Sequence, residues 1–164
     1  MRVPLLDLAA QYATLRDEVE PVLLRVCASQ HFVLGPEVEA LENEIAAYVR
    51  AGQAVGCASG TDALLLALRA CGVGPGDEVV LPSYTWIATA NVVRMVGATP
   101  VFADIDPSTF NVNAETIEPC LTPRTRALMP VHQFGMPADM RPIMELAAER
   151  RLTVIEDAAC AVGS

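Results

Sequence analysis

A Ser-Gly-Thr-Asp turn at residues 59–62 has the residue types of a phosphate-binding site. It follows the apolar run 54–58 and precedes a run of helix-forming residues, so the pattern predicts a sharp turn from a strand into a helix. The first backbone N–H groups of such a helix lack partners, and the helix dipole adds partial positive charge beside them. Gly60 would let the backbone approach an anion closely, while Ser59 and Thr61 offer hydroxyl groups. The alternative is an ordinary helix start that Ser59 caps.

Two further residues stand after apolar runs and have the chemistry to contact a flat heteroaromatic ring. Trp86 is the only tryptophan and could stack on such a ring, or it could be a core residue near a helix start. Asp157 could hold a proton on a ring nitrogen, or it could cap the next element. A phosphate cradle, a stacking aromatic and an acid for a ring nitrogen together suit pyridoxal 5'-phosphate (PLP), whose ring acts as an electron sink.

Other polar residues near predicted strand ends have simpler interpretations. Asp104 and Asp106 precede Pro107, where Asp side chains commonly make turn hydrogen bonds. His132 is either a structural histidine or a site residue. His31 and His132 share no ligand spacing with a Cys or an acid, so the sequence predicts no metal site.

The elements that must position these residues alternate between short apolar runs and helical patterns. This alternation predicts an α/β fold with a mostly parallel sheet flanked by helices. Ligands bind beyond the carboxyl ends of such strands, so the candidate residues are expected to share one edge. The predicted strands are 54–58, 78–81, 100–104, 126–131 and 152–156, and the predicted helices are 62–71, 85–96, 114–120 and 139–151.

A helical segment is predicted before this alternation, over residues 1–52, and the α/β part over residues 53–164. Apolar residues at spacings of three and four predict a helix over 8–29, which Pro21 should kink or restart. A second helix is predicted from Pro36 to about Arg50.

Charge and composition exclude several classes of protein. The net charge of −9 argues against nucleic-acid binding, which favours a basic surface. Residues 79–93 form the longest notable uncharged stretch, too short and too polar for a membrane span of about 20 apolar residues. The five cysteines contain no C-x-x-C pair and are predicted to be buried free thiols in a reducing cytoplasm. Asp7 precedes any long apolar run, so no signal peptide is predicted.

Many motifs in order resemble the DegT/DnrJ/EryC1/StrS family of PLP-dependent nucleotide-sugar aminotransferases. The resemblance implies the large domain of a fold-type I (aspartate aminotransferase-like) enzyme that forms a homodimer and uses a nucleotide-sugar substrate and an amino acid donor. The matching segments are 4–8, 34–39, 60–64, 74–79, 82–91, 130–132, 135–140 and 156–159.

Site residues follow from this resemblance one by one. Gly60 and Thr61 match the phosphate site, Trp86 the stacking aromatic, Asp157 the acid on the pyridine nitrogen, and Ala159 the small residue near the other face of the ring. Two positions depart from the family pattern: Cys160 stands where the family commonly has Gln, which reaches the ring hydroxyl, and Val162 where it commonly has His.

The largest departure is the absence of lysine, because all eleven basic residues are arginine. Family members are more than twice as long, and their Schiff-base lysine would lie beyond Ser164. We therefore expect an N-terminal portion of an aminotransferase that is inactive alone. The alternatives are a non-catalytic remnant or interaction fragment, and another nucleotide-binding α/β enzyme such as an oxidoreductase. No G-x-G-x-x-G follows the first apolar run, which weighs against the oxidoreductase.

Overall fold

Two helices make up most of the first part of the chain. The computed structural model describes residues 5–164 and divides into two units after Gly56. Helix α1 covers Leu8–Ser29 and begins at Asp7, whose side chain accepts a hydrogen bond from the N–H of Ala10 (2.9 Å). Helix α2 covers Pro36–Val49. Pro21 lies inside α1, so the predicted restart of the helix there is wrong.

The second unit, Cys57–Ser164, is a four-stranded parallel sheet flanked by helices, which confirms the predicted fold class. The strand order is β2-β1-β3-β4. The strands are β1 (Glu78–Pro82), β2 (Thr99–Ala103), β3 (Thr125–Leu128) and β4 (Thr153–Val154). The helices are α3 (Gly60–Ala70), α4 (Ile87–Met95), α5 (Ala114–Ile117), which continues into a 3₁₀ turn at Glu118–Cys120, and α6 (Met140–Arg150).

Strand β1 lies at the centre of the core, and all five of its residues are buried. Alternate side chains of a strand point to opposite faces, so Val79 packs with Leu68 and Val92 of α3 and α4 in one apolar cluster. Val80 packs on the other face with Leu128 and Ile143 in a second cluster. Two buried layers therefore cover the two faces of the sheet.

The chain leaves β1 for β2 on one side and later returns to place β3 on the other side. Ligands in open α/β sheets bind outside the carboxyl ends of the strands at such a reversal of direction. The residues that follow β1 and β3 are therefore placed at the edge where a ligand is expected.

The predicted strand at 54–58 is wrong. These residues have no regular structure and are mostly exposed, and within residues 5–164 no strand lies beside them. An apolar run becomes a strand only when a neighbour pairs with its backbone groups. The predicted strands 126–131 and 152–156 are shorter in the structure, but their ladder continues from Ile155 N to Leu128 O (3.0 Å).

Gly72 and Gly97 lie just after α3 and α4 and have φ of +72° and +84°, the left-handed conformation that glycine permits. The cysteines are free, as predicted, but four of the five are exposed and Cys120 is half-buried, so the prediction that they are buried is wrong. No helix among the described residues is both long and apolar enough to cross a membrane.

A buried carboxylate lies at the amino end of β1, away from the carboxyl edge of the sheet. Glu78 is 4% exposed and accepts hydrogen bonds from the hydroxyl of Thr122 and from the guanidinium of Arg124, whose Nε lies 2.9 Å from Glu78 Oε1. The hydrogen bond from Thr122, followed by that from Arg124, holds the pKa of Glu78 below its ordinary value.

Candidate functional site

A cavity of about 400 Å³ opens at the carboxyl edge of the sheet, within the second unit. The residues that line it come from the starts of α3 and α4 and from the segments that follow β1, β3 and β4. All six site residues predicted from the sequence line this one cavity: Gly60, Thr61, Trp86, Asp157, Ala159 and Cys160.

The amino end of α3 has one N–H group that is capped and two that have no acceptor among the described residues. Ser59 Oγ accepts a hydrogen bond from the N–H of Asp62 (3.1 Å) and donates to Asp62 Oδ2 (3.0 Å), so Ser59 caps the helix. Among residues 5–164, the N–H groups of Gly60 and Thr61 donate to no acceptor. A Cβ added at Gly60 would meet nothing within 4 Å. Two backbone donors at the positive end of a helix dipole therefore have no acceptor in the described part of the chain.

Trp86 is a surface residue. It stands directly before α4 with extended backbone angles and is 78% exposed. The interpretation of Trp86 as a core residue is therefore wrong. A large aromatic side chain exposed at the wall of a cavity can stack on a flat ligand.

Asp157 is held at both its backbone and its side chain. Its N–H donates to Pro130 O (2.9 Å) and its carbonyl accepts from the N–H of His132 (3.0 Å). Its Oδ2 accepts from Thr89 Oγ1 (2.9 Å), and its Oδ1 accepts from the N–H of Ala159 (3.3 Å). The bond to Ala159 is the local turn contact that the alternative interpretation expected, and the same carboxylate also lines the cavity.

His132 is a structural histidine with an assignable tautomer. It is 6% exposed, and its Nδ1 accepts from the N–H of Ala138 (3.1 Å). A backbone N–H only donates, so Nδ1 carries no proton and the proton is on Nε2. Nε2 therefore donates to Glu156 Oε2, 3.0 Å away. The ring ties the end of β3 to the segments that follow β4 and precede α6.

Asn111 is a further site-supporting residue that the sequence did not single out. It is 2% exposed; its Nδ2 donates to Met136 O (2.9 Å) and its Oδ1 accepts from the N–H of Gln133 (3.0 Å). Gln133 lines the cavity and donates from Nε2 to Tyr84 O (2.6 Å). Asn111 thus joins the segment after β2 to the turn after β3, and Gln133 joins that turn to the segment after β1.

Thr89 was also missed as a site residue. Its hydroxyl contacts Asp157, and the residue is buried in α4 beside Ala90, Val92 and Val93. The available signal was a polar residue within an otherwise apolar run of a predicted helix, because a buried hydroxyl requires a partner.

Comparison with known proteins places the chain in a family. The family model described as the DegT/DnrJ/EryC1/StrS aminotransferase family matches residues 14–164. The chain belongs to this family. The resemblance predicted from the sequence motifs is therefore confirmed.

Individual relatives in the family are closely similar but much longer. A UDP-N-acetyl-3-dehydro-alpha-D-glucosamine 3-aminotransferase of Acidithiobacillus ferrooxidans is 50% identical over 99% of this chain and 44% of its own length. A dTDP-3-amino-3,4,6-trideoxy-alpha-D-glucose transaminase of Streptomyces venezuelae is 49% identical over 99% of this chain and 43% of its own length. The chain thus spans less than half the length of these curated relatives.

Solved structures in the family agree with the fold. DesV of S. venezuelae, crystallised in complex with a ketimine intermediate, is 49% identical and superposes with a TM-score of 0.96 over 99% of this chain and 44% of its own. NtdA of Bacillus subtilis, solved with bound cofactor PMP, is 38% identical with a TM-score of 0.86, over 90% of this chain and 34% of its own.

Proposed function

We propose that this chain binds PLP, or its amine form pyridoxamine 5'-phosphate (PMP), in the cavity at the carboxyl edge of the sheet. The observation that carries the proposal is that two backbone donors without an acceptor in residues 5–164, an exposed tryptophan and an anchored carboxylate line one cavity of about 400 Å³. These groups match the three chemical features of the cofactor: a phosphate, a flat ring and a basic ring nitrogen.

Each residue would hold one part of the cofactor. The N–H groups of Gly60 and Thr61 would donate to the phosphate, Trp86 would cover a face of the ring, and Asp157 would accept a hydrogen bond from the protonated ring nitrogen. Cys160 lines the same cavity, but a thiol is only a weak hydrogen-bond partner, so we assign it a minor share of the affinity. When bound, the cofactor supplies an electron sink for amino-group chemistry.

The chain is proposed to be the N-terminal portion of an aminotransferase that acts on a nucleotide-linked keto-sugar with an amino acid as donor. The names of its relatives, which include UDP- and dTDP-linked sugars, support this substrate class. The chain contains no lysine and so offers the cofactor no lysine amine. We therefore expect no transamination by this polypeptide alone, and turnover of any amino donor by it would contradict that expectation.

The test is a PMP titration followed by the fluorescence of Trp86. Since Trp86 is the only tryptophan, quenching reports contact at that position, after correction for absorbance with free tryptophan. PMP is used because it lacks the aldehyde that would label the α-amino group of Met1. We expect saturable quenching by PMP.

Asp157→Asn keeps the shape of the side chain and removes its charge, and we expect it to weaken binding. The matched control is Asp139→Asn, since Asp139 is an exposed carboxylate that makes no capping bond and does not line the cavity. Absence of saturable quenching would refute the proposal, and equal affinity of Asp157→Asn and the parent chain would refute the role of Asp157.

A further inference from the structure

We propose that Thr89 is a positioning residue that keeps the Asp157 carboxylate aimed into the cavity through a directed series of hydroxyl hydrogen bonds. This inference rests on the proposed function, because its consequence is measured on a bound cofactor. The geometry consists of two consecutive contacts. Thr89 Oγ1 lies 2.9 Å from Asp157 Oδ2, and Thr85 Oγ1 lies 3.3 Å from Thr89 Oγ1.

The direction of these hydrogen bonds follows from counting protons. A threonine hydroxyl has one hydrogen, and a carboxylate can only accept. Thr89 therefore donates its hydrogen to Asp157, and in its contact with Thr85 it is Thr85 that donates. The two hydrogen bonds run from Thr85 to Thr89 to Asp157, so that every hydroxyl dipole points its positive end toward the carboxylate. Consecutive hydrogen bonds of this kind strengthen one another in a low-dielectric interior.

The burial of Thr89 makes its hydroxyl hard to replace. The residue is 1% exposed although it also lines the cavity, so very little of its surface contacts solvent. The only other hydrogen-bond donor to the Asp157 carboxylate among residues 5–164 is the N–H of Ala159, at the longer distance of 3.3 Å and on the other oxygen. Without Thr89, Oδ2 would have no donor from the described part of the chain, and the carboxylate could rotate about its last torsion.

The consequence falls on the ring nitrogen of the cofactor. A carboxylate that is aimed at the ring nitrogen stabilises its protonated form through a charge-assisted hydrogen bond. Loss of the Thr89 donor leaves the Asp157 carboxylate free to rotate away from this direction. The fraction of bound cofactor whose ring nitrogen is protonated should therefore fall.

The experiment compares Thr89→Val, Thr89→Ser and Thr85→Val in the full chain. The readouts are the affinity for PMP and the ¹⁵N NMR shift of PMP labelled at the ring nitrogen, at one fixed pH. We expect Thr89→Val to weaken PMP binding on the order of tenfold, the effect of one hydrogen bond to a charged group. The ¹⁵N shift should move toward the neutral ring.

Two variants separate positioning from packing. Thr89→Ser keeps the donor, and we expect it to retain the parent ¹⁵N shift even if the lost methyl group lowers the thermal stability. Thr85→Val leaves the Thr89–Asp157 bond intact, and we expect a smaller shift change than for Thr89→Val. If Thr89→Val does not fold, Thr89→Cys replaces it, since a thiol is a weak donor.

Failure of this inference is distinguishable from failure of the proposed function. If the parent chain does not bind PMP, the proposed function is wrong and the inference is wrong with it. If the parent chain binds PMP and Asp157→Asn weakens binding, while Thr89→Val keeps the parent affinity and ¹⁵N shift, the inference alone is overturned. An equal change in Thr89→Ser and Thr89→Val would also overturn it, because the hydroxyl would then not be the cause.

Discussion

Replacing Gly60 with alanine should change stability and cofactor affinity in opposite directions. Gly60 is the first residue of α3, its φ lies outside the left-handed region, and an added Cβ meets nothing within 4 Å. Alanine in a helix is favoured over glycine by roughly 0.5–1 kcal/mol, so Gly60→Ala should raise the free energy of unfolding by up to about 1 kcal/mol. An unfolding curve in urea measures this.

The same methyl group takes space in the cavity, because Gly60 lines it. It would push a bound phosphate away from the N–H groups of Gly60 and Thr61. Loss of one hydrogen bond to a charged group costs about 1.5–3 kcal/mol, which corresponds to roughly 10- to 100-fold in dissociation constant. We therefore expect Gly60→Ala to bind PMP at least about tenfold more weakly than the parent chain.

Two comparisons make the test decisive. Pyridoxamine without its phosphate should lose little affinity in Gly60→Ala, because the lost contacts are those of the phosphate. Gly52→Ala is the matched control, since a Cβ there also meets nothing within 4 Å and Gly52 does not line the cavity. If Gly60→Ala is more stable and binds PMP as well as the parent does, the start of α3 is only a capped helix end and the phosphate assignment is refuted.

Three further predictions concern stability and association. The lowered pKa of Glu78 means that its stabilising contribution is present above its ordinary pKa of about 4.3 and is lost as the pH falls through the lower, folded value. The melting temperature of the parent chain should thus fall more steeply below about pH 4.3 than that of Glu78→Gln, and parallel curves would contradict this. Gly72→Ala should lower the free energy of unfolding by about 1–2 kcal/mol because its φ is positive. Gly97→Ala should lower it more, because its Cβ would also lie 3.0 Å from Pro75 Cγ. Chemical denaturation measures both values, and a larger loss for Gly72→Ala would contradict the contact argument. The exposed apolar side chains of α1 and the outer edge of β4 should make the chain self-associate at concentrations on the order of tens of micromolar. Leu24→Glu should reduce that association, and sedimentation showing a monodisperse parent monomer would refute it.

The helices and most strands were predictable because their signals are local. Periodic apolar residues and a glycine just past the end are properties of consecutive residues, and Gly97 after α4 has the left-handed conformation typical of such a glycine. The run 54–58 carries the same local signal for a strand as 78–81 but forms none. The difference is non-local, since β1 pairs on both sides and a strand exists only where a neighbour accepts and donates its hydrogen bonds.

The candidate site was predictable to the extent that strand ends share an edge of the sheet. Gly60, Trp86 and Asp157 are far apart in sequence, yet each follows an apolar run, and they line one cavity. The supporting contacts were not predictable in this way. The bond between Thr89 and Asp157 joins residues 68 positions apart, and its existence depends on how α4 packs against the sheet.

The two interpretations of the turn at residues 59–62 are compatible, because capping and ligand binding use different N–H groups. Ser59 satisfies the N–H of Asp62, which leaves those of Gly60 and Thr61 for a ligand. The lining of the cavity thus contains both these donors and the Asp157 carboxylate, which is an acceptor. Only a ligand with an anionic group and a protonated nitrogen can pair with both the N–H donors and the carboxylate. In the reversed orientation, the phosphate of the ligand would lie against the Asp157 carboxylate. The polarity of the cavity therefore selects one orientation of the proposed cofactor without any cationic side chain in its described lining.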